Sequence, residues 1–137
     1  MIFFDTNVLI YNSIEQDKMK GNLSDLLIKE AIDKDDFFIS TLVFSEYLFT
    51  LAKLKILDEC EDKIMLYSKY INSSIGKEDV IDAYNKCKTL NSCRNINDFI
   101  HLEIAEKYCE KIVTFDSDFK NLQNLYSVKI DILKEQD

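Results

Sequence analysis

The hydrophobic positions of this chain fall into short solid runs separated by longer stretches at helical spacing. Ile2-Phe3-Phe4 is one such run, and it ends on Asp5. Asn7–Ser13 then reads as a helix opening, with Thr6 or Asn7 as its cap. Leu23, Leu26, Leu27 and Ala31 recur at helical spacing, which predicts a helix over Asn22–Asp33 capped by Asn22. Phe37–Ile39 is a second strand-like run. Ser40 is placed to cap a long helix to about Leu57, whose apolar face is Leu42, Val43, Tyr47, Leu51 and Leu54. A further helix, Asp58–Ile71, follows almost directly, and Ser73–Ile75 is a weak third strand. Lys77–Leu90 reads as a helix with Val80, Ile81, Tyr84 and Cys87 on one side. Asn95 or Asn97 caps the next, which runs to about Glu110 and turns Phe99, Leu102, Ala105 and Cys109 inward. Lys111–Phe115 is a strand, Asp118–Leu122 a helical turn and Ser127–Ile132 a last strand. Solid strands alternating with helices predict an α/β fold with a parallel sheet covered on both faces.

Composition fits that picture. The 137 residues suit one domain, 1–137, with a substantial core. The chain has no proline and only two glycines, which argues against an all-β or disordered architecture. A net charge of −8 disfavours a broad nucleic-acid surface, because phosphate affinity comes mainly from Lys and Arg. It does not exclude an enzyme acting on nucleic acid, since metal-binding carboxylates add to the negative count. The four cysteines, Cys60, Cys87, Cys93 and Cys109, contain no C-x-x-C pair, so no zinc site is expected. The opening residues lack a basic region and Asp5 interrupts their apolar run, so no secretory signal is expected. Leu42–Leu57 carries Glu46, Lys53 and Lys55 and is too charged to span a membrane. A cytoplasmic protein with reduced, space-filling thiols is the expectation.

Four acids stand in unusual contexts. Asp5 and Asp116 each end a strand, and ligands of open α/β sheets bind beyond that carboxyl end. If those strands are neighbours where the strand order reverses, the two acids face each other. Each alone reads equally as a turn or cap residue. Glu46 lies within Leu42-Val43-Phe44-Ser45-Glu46-Tyr47-Leu48-Phe49. Burying such a charge unpaired costs about several kcal/mol, which a cation would remove. The competing reading puts Glu46 on a thin polar stripe with Ser45, Thr50 and Lys53. Asp98 falls in the first turn of its helix, where it either binds a cation or offsets the macrodipole. Asp118 is either a ligand through water or, more simply, a helix cap. Thr6, Asn7 and Thr114 are placed to orient these carboxylates, or serve only as cap and strand residues. His101 shares a face with Asp98 and would orient it in a functional reading. The core reading, with a satisfied ring nitrogen, is preferred, and as a zinc ligand His101 lacks His or Cys companions. Arg94, the only arginine, either meets a phosphate or is a solvated loop residue. Tyr11 and Tyr47 are candidates for stacking on a base. Hard oxygen donors of this kind suit Mg²⁺ or Mn²⁺.

In this order the residues resemble the PIN-domain family, and within it the VapC-type toxins of toxin–antitoxin pairs. Phe4-Asp5-Thr6-Asn7-Val8-Leu9 is similar to the family's first motif. Glu46 matches its helical acid, Asn97-Asp98-Phe99-Ile100-His101-Leu102 its third motif, and Val113-Thr114-Phe115-Asp116-Ser117-Asp118-Phe119 its fourth. The resemblance spans essentially the whole chain and implies a PIN-like three-layer α/β/α domain, with a central parallel sheet of about five short strands.

It further implies a metal-dependent endoribonuclease, with Asp5, Glu46, Asp98 and Asp116 as catalytic acids and Asp5, Asp98 and Asp116 holding Mg²⁺ or Mn²⁺. Glu46 would bind a second cation or position the attacking water, and the products would carry 5′-phosphate and 3′-hydroxyl ends. RNA as substrate, a protein antitoxin over the acidic cleft and a homodimer are implied with it. The chain departs from an RNA-binding pattern in its acidity and single arginine. Two other readings stand beside this one. A haloacid-dehalogenase-type phosphatase also starts strand–Asp, but would want an acid where Asn7 stands. A non-catalytic module of the same fold would bind RNA or metal without turnover.

Overall fold

The structure is a computed structural model that describes residues 1–90 and 93–134. Its centre is a parallel five-stranded sheet: β1 (Ile2–Phe4), β2 (Phe37–Ser40), β3 (Ile71–Ser73), β4 (Lys111–Thr114) and β5 (Lys129–Ile132), in the order β3-β2-β1-β4-β5. The helices are α1 (Thr6–Ser13), α2 (Lys18–Asp33), α3 (Thr41–Lys53), α4 (Glu61–Ser68), α5 (Lys77–Cys87) and α6 (Ile96–Tyr108), and a 3-10 segment covers Ser117–Leu125. This is the expected three-layer α/β fold with a parallel sheet.

Alternation along the strands sorts the two layers. Phe4 and Phe37 pack together, and Phe37 packs on Tyr67 and Tyr70 of the α4 region. Phe3 and Phe38 point the other way, onto His101 and Tyr108 of α6. Helices α1 to α4 pack among themselves, as do α5 and α6. The three central strands are almost wholly buried and the edge strands β3 and β5 only partly so, as expected for a sheet covered on both faces.

β1 pairs with β2 on one side and β4 on the other, with Phe4 opposite Val113. The strand order therefore reverses between β1 and β4, and the loops that leave these two strands open a crevice between them. Asp5 and Asp116 stand at its mouth, Glu46 on α3 comes from one layer, and Asp98 on α6 comes from the other.

Element ends differ from the expected ones for identifiable reasons. Asp5 itself caps α1, accepting from Thr6 N, so the helix starts before Asn7. Asp17 caps α2 by accepting from Lys20 N, which starts that helix four residues ahead of Asn22. Helix α3 stops at Lys53 because Lys55 takes a left-handed conformation (φ 61°), and a turn rather than a direct junction leads to α4. The third strand lies at Ile71–Ser73, where Ile71 and Ser73 pair with Ile39 and Ser40, not at Ser73–Ile75. Cys87 and Cys93 form a disulfide that spans the end of α5, contrary to the expectation of four thiols; their Cα atoms are 5.5 Å apart, within bridging reach. Cys60 and Cys109 are free. No helix among the described residues is long and apolar enough to cross a membrane.

Ser40 is fully buried and its hydroxyl accepts from Val43 N, capping the helix that carries Glu46. Ser40→Ala is expected to lower unfolding free energy by about 1 kcal/mol, read from urea denaturation. An unchanged urea midpoint would show that the cap contributes nothing.

Candidate active site

Asp5 is buried at the seam between β1 and β4, and both its oxygens are held. Oδ1 accepts from Thr6 N at 2.8 Å, and Oδ2 accepts from Thr114 Oγ1 at 2.7 Å and Asn7 Nδ2 at 3.3 Å. Thr114 also accepts from Asp116 N at 3.0 Å, so one buried hydroxyl ties the two strand-ending acids together. Asn7 adds a second tie, since its Oδ1 accepts from Phe115 N at 3.2 Å. Burial pushes the Asp5 pKa up, against the opposing effects of His101 and of the hydrogen bonds from Thr114 and Thr6.

Glu46 reaches the same place from α3. Its Oε1 accepts from Thr6 Oγ1 at 2.7 Å and lies 2.7 Å from His101 Nε2, and its Oε2 accepts from Asn97 Nδ2 at 3.1 Å. Burial alone would raise its pKa, but the His101 contact with the Thr6 and Asn97 bonds outweighs it and holds Glu46 below the ordinary glutamate range. Glu46 is thus an ionised, three-point-anchored carboxylate, not a member of a solvated stripe.

Asp98 is the acid with least support. Asn95 Nδ2 approaches one oxygen at 3.3 Å. Burial first, then the neighbouring charges of Asp5, Asp116 and Glu46, push its pKa up to about 7, with His101 opposing. Asp116 caps the 3-10 segment by accepting from Asp118 N at 2.9 Å. Asp5, Glu46, Asp98 and Asp116 line one open cavity of about 590 Å³. A second cavity of about 340 Å³ shares Asp98 and Asp116 and adds Arg94 and Asp118.

All four acids therefore meet at the cleft, Asp118 sits on its far shoulder, and Arg94 stands beside it. Tyr47 does not reach it: the ring is fully buried, its hydroxyl pairs with Ser13 at 2.6 Å, and burial pushes its pKa up to about 12. Tyr11 is half-buried, edge-on to Phe115, with Lys20 Nζ 5.2 Å from its ring centre.

Two residues are more deeply involved than the sequence suggested. His101 is buried, with one nitrogen on Glu46 rather than Asp98, and its Nδ1 has no partner among the described residues. Asn97 anchors Glu46. The two are four apart on α6, a spacing that puts both on one helical face and was there to be read.

The donor set fits a hard divalent cation. Carboxylate oxygens of Asp5 and Glu46 lie within 4.8 Å of each other, with His101 Nε2 equally near, and Asp98 and Asp116 line the same cavity. The raised Asp98 pKa comes first from burial and then from the Asp5, Asp116 and Glu46 charges, and a bound cation would offset both.

A parallel sheet whose order reverses beside β1, with carboxylates from both layers gathered at that reversal, defines a Rossmann-like domain with an acidic centre. The chain belongs to the PIN domain family, whose model matches residues 2–125. Its fold is similar to that in the crystal structure of VapBC2 from Rickettsia felis bound to a DNA fragment from their promoter, with a TM-score of 0.65 and 19% sequence identity over 98% of this chain and 100% of that one. No curated protein matches the sequence.

Burial and charge crowding at Asp98 have a signed consequence. Between its ordinary value of 3.8 and about 7, folded Asp98 keeps a proton that the unfolded chain has released. Raising the pH through that window therefore removes stability from the metal-free protein. Asp98→Asn in chelator is expected to gain on wild type as pH rises through the window, its melting advantage a few degrees larger at pH 8 than at pH 5, the shift that about 1 kcal/mol produces in a domain of this size. Equal differences at both pH values in thermal melts would contradict a raised Asp98 pKa.

Proposed function

We propose that this chain is a metal-dependent endoribonuclease of the VapC toxin type, hydrolysing RNA phosphodiesters. The observation that carries the reading is the convergence of Asp5, Glu46, Asp98 and Asp116 on one open cleft, with Asp98 lacking the hydrogen bonds that anchor Asp5 and Glu46. A bound Mg²⁺ or Mn²⁺ would lower the pKa of a coordinated water and stabilise charge on the phosphoryl oxygens.

Asp5, Asp98 and Asp116 would hold that ion, with Asp118 contributing through water. Glu46, ionised and fixed at three points, orients the attacking water and accepts its proton. Thr6, Asn7 and Thr114 keep the acids in place. In-line attack then releases the leaving oxygen of the phosphodiester. The phosphatase reading draws less support, because Asn7, where that chemistry would want an acid, is a structural tie between strands.

An acidic chain can still hold RNA where its cations are local. Arg94 lines the cavity that contains Asp116 and Asp118. Lys20 Nζ lies 5.2 Å from the Tyr11 ring centre and 5.7 Å from that of Phe115, the residue before Asp116. A cation over two half-buried rings suits a phosphate and an adjacent base. With the toxin reading come a protein antitoxin over the acidic cleft, a homodimer and a cytoplasmic location. Phe49, 69% exposed on the cleft rim, is an apolar anchor for such an antitoxin segment.

Wild type is expected to cleave RNA with Mg²⁺ or Mn²⁺, and to lose cleavage in chelator and in Asp5→Asn. Activity that survives either change would end the metal-nuclease reading. Lys20→Gln is expected to raise the KM for RNA with kcat unchanged, and to reduce the salt slope of RNA binding by about 1. An unaltered slope would remove Lys20 from the RNA path.

A further inference from the structure

Glu46 has more anchors than a simple metal ligand requires. A carboxylate offers roughly four lone-pair directions. Three are taken by Thr6 Oγ1, Asn97 Nδ2 and His101 Nε2. Glu46 can only accept in its ionised form, so the His101 nitrogen beside it must carry the proton. The other ring nitrogen, Nδ1, is buried and has no partner among the described residues, and the ring packs against Phe3 at 5.6 Å. A purely structural histidine would normally have both nitrogens satisfied or be replaced by an apolar residue. Leaving Nδ1 without a partner costs stability, so the imidazole is held there for what Nε2 does.

We propose that His101 is the positioning residue of this site: its Nε2–H donates to Glu46 Oε1 and, with Thr6 and Asn97, fixes that carboxylate so that one acceptor direction stays open to the cleft. His101 is then not a metal ligand, although it lies within ligand distance of Asp5 and Glu46. A nitrogen that donates its proton to Glu46 has no lone pair to give a cation. The catalytic consequence rests on the nuclease reading, while the location of the proton does not.

His101 is the only histidine in the chain, so its imidazole signals are assigned without ambiguity. In ¹⁵N-detected NMR of the full chain in chelator, Nε2 is expected to carry a slowly exchanging proton that moves in Glu46→Gln and survives addition of Mg²⁺. An Nε2 without its proton, or one that loses it on Mg²⁺ binding, would overturn the proposal and make His101 a ligand.

Two substitutions separate positioning from packing. His101→Leu removes the Nε2 donor to Glu46, and kcat is expected to fall about 10- to 100-fold at unchanged KM. His101→Gln, whose amide can restore a donor near the Nε2 position, is expected to recover most of kcat. A His101→Leu chain with wild-type kcat, or a His101→Gln chain no better than His101→Leu, would overturn the role. A wild-type chain that cleaves no RNA yet keeps the Nε2 proton would overturn the nuclease reading and leave the Glu46 contact intact.

Discussion

The site depends on one buried carboxylate being satisfied at the seam of two strands. Asp5 sits where β1 ends beside β4, and its oxygens are taken by a helix-capping N–H, a strand hydroxyl and a side-chain amide. Those partners have other duties. Thr114 also receives Asp116 N, and Asn7 also receives Phe115 N. Satisfying Asp5 therefore sets the path of the chain leaving β4, and with it the place of Asp116. Removing any one partner would leave a buried polar group unpaired, which is dearer than the modest net value of the bond itself.

Against this ordered half stands a loosely held one. Asp98 comes from the opposite layer, on α6, and approaches the other acids with one long hydrogen bond behind it. Burial first, then the charges of Asp5, Asp116 and Glu46, accordingly push its pKa up to about 7. The fold thus divides its acids into anchored and unanchored members. The anchored ones keep their geometry whether or not a cation is present. The unanchored one gains most from a cation, because only His101 and one long Asn95 bond offset its desolvation and the repulsion around it. Such a centre stores an electrostatic cost in the metal-free chain, as functional sites often do at the expense of stability.

Much of this was legible because burial and chemistry disagree at a few positions. A carboxylate at the end of a solid apolar run, as at Asp5 and Asp116, or inside one, as at Glu46, already says that something polar gathers there. Strand placement was legible for the same reason, since the central strands are buried on both faces and need no alternation. The edge strand β3 was misplaced by two residues because its half-exposed side chains carry little pattern. Helix starts were missed where an acid doubled as the cap: Asp5 and Asp17 each cap one residue or more before the polar residue that composition favoured. The Cys87–Cys93 pair was not readable, because spacing alone does not fix Cα separation. His101 is the buried histidine with a satisfied ring nitrogen that its apolar helix suggested, but its partner was not readable. Asp98 is the acid closest along the helix, but the ring points across the layer boundary to Glu46, which is 55 residues away.

The His101–Glu46 contact also shows how the chain can be acidic overall and still hold its acids close. Imidazole and amide donors from α6 and a hydroxyl from α1 converge on Glu46, while α1 and β4 supply the donors for Asp5. Charge is thus dispersed through directional bonds rather than balanced by lysines and arginines. Basic residues at the acid centre would neutralise the carboxylates and compete with a cation for them. Keeping cations outside it, as with Lys20 over its two rings and Arg94 across the shoulder, leaves the acids free for a metal while still offering phosphates a place to rest. The net charge of −8 therefore does not argue against a nucleic-acid substrate. What matters is where the few cations stand relative to the carboxylates.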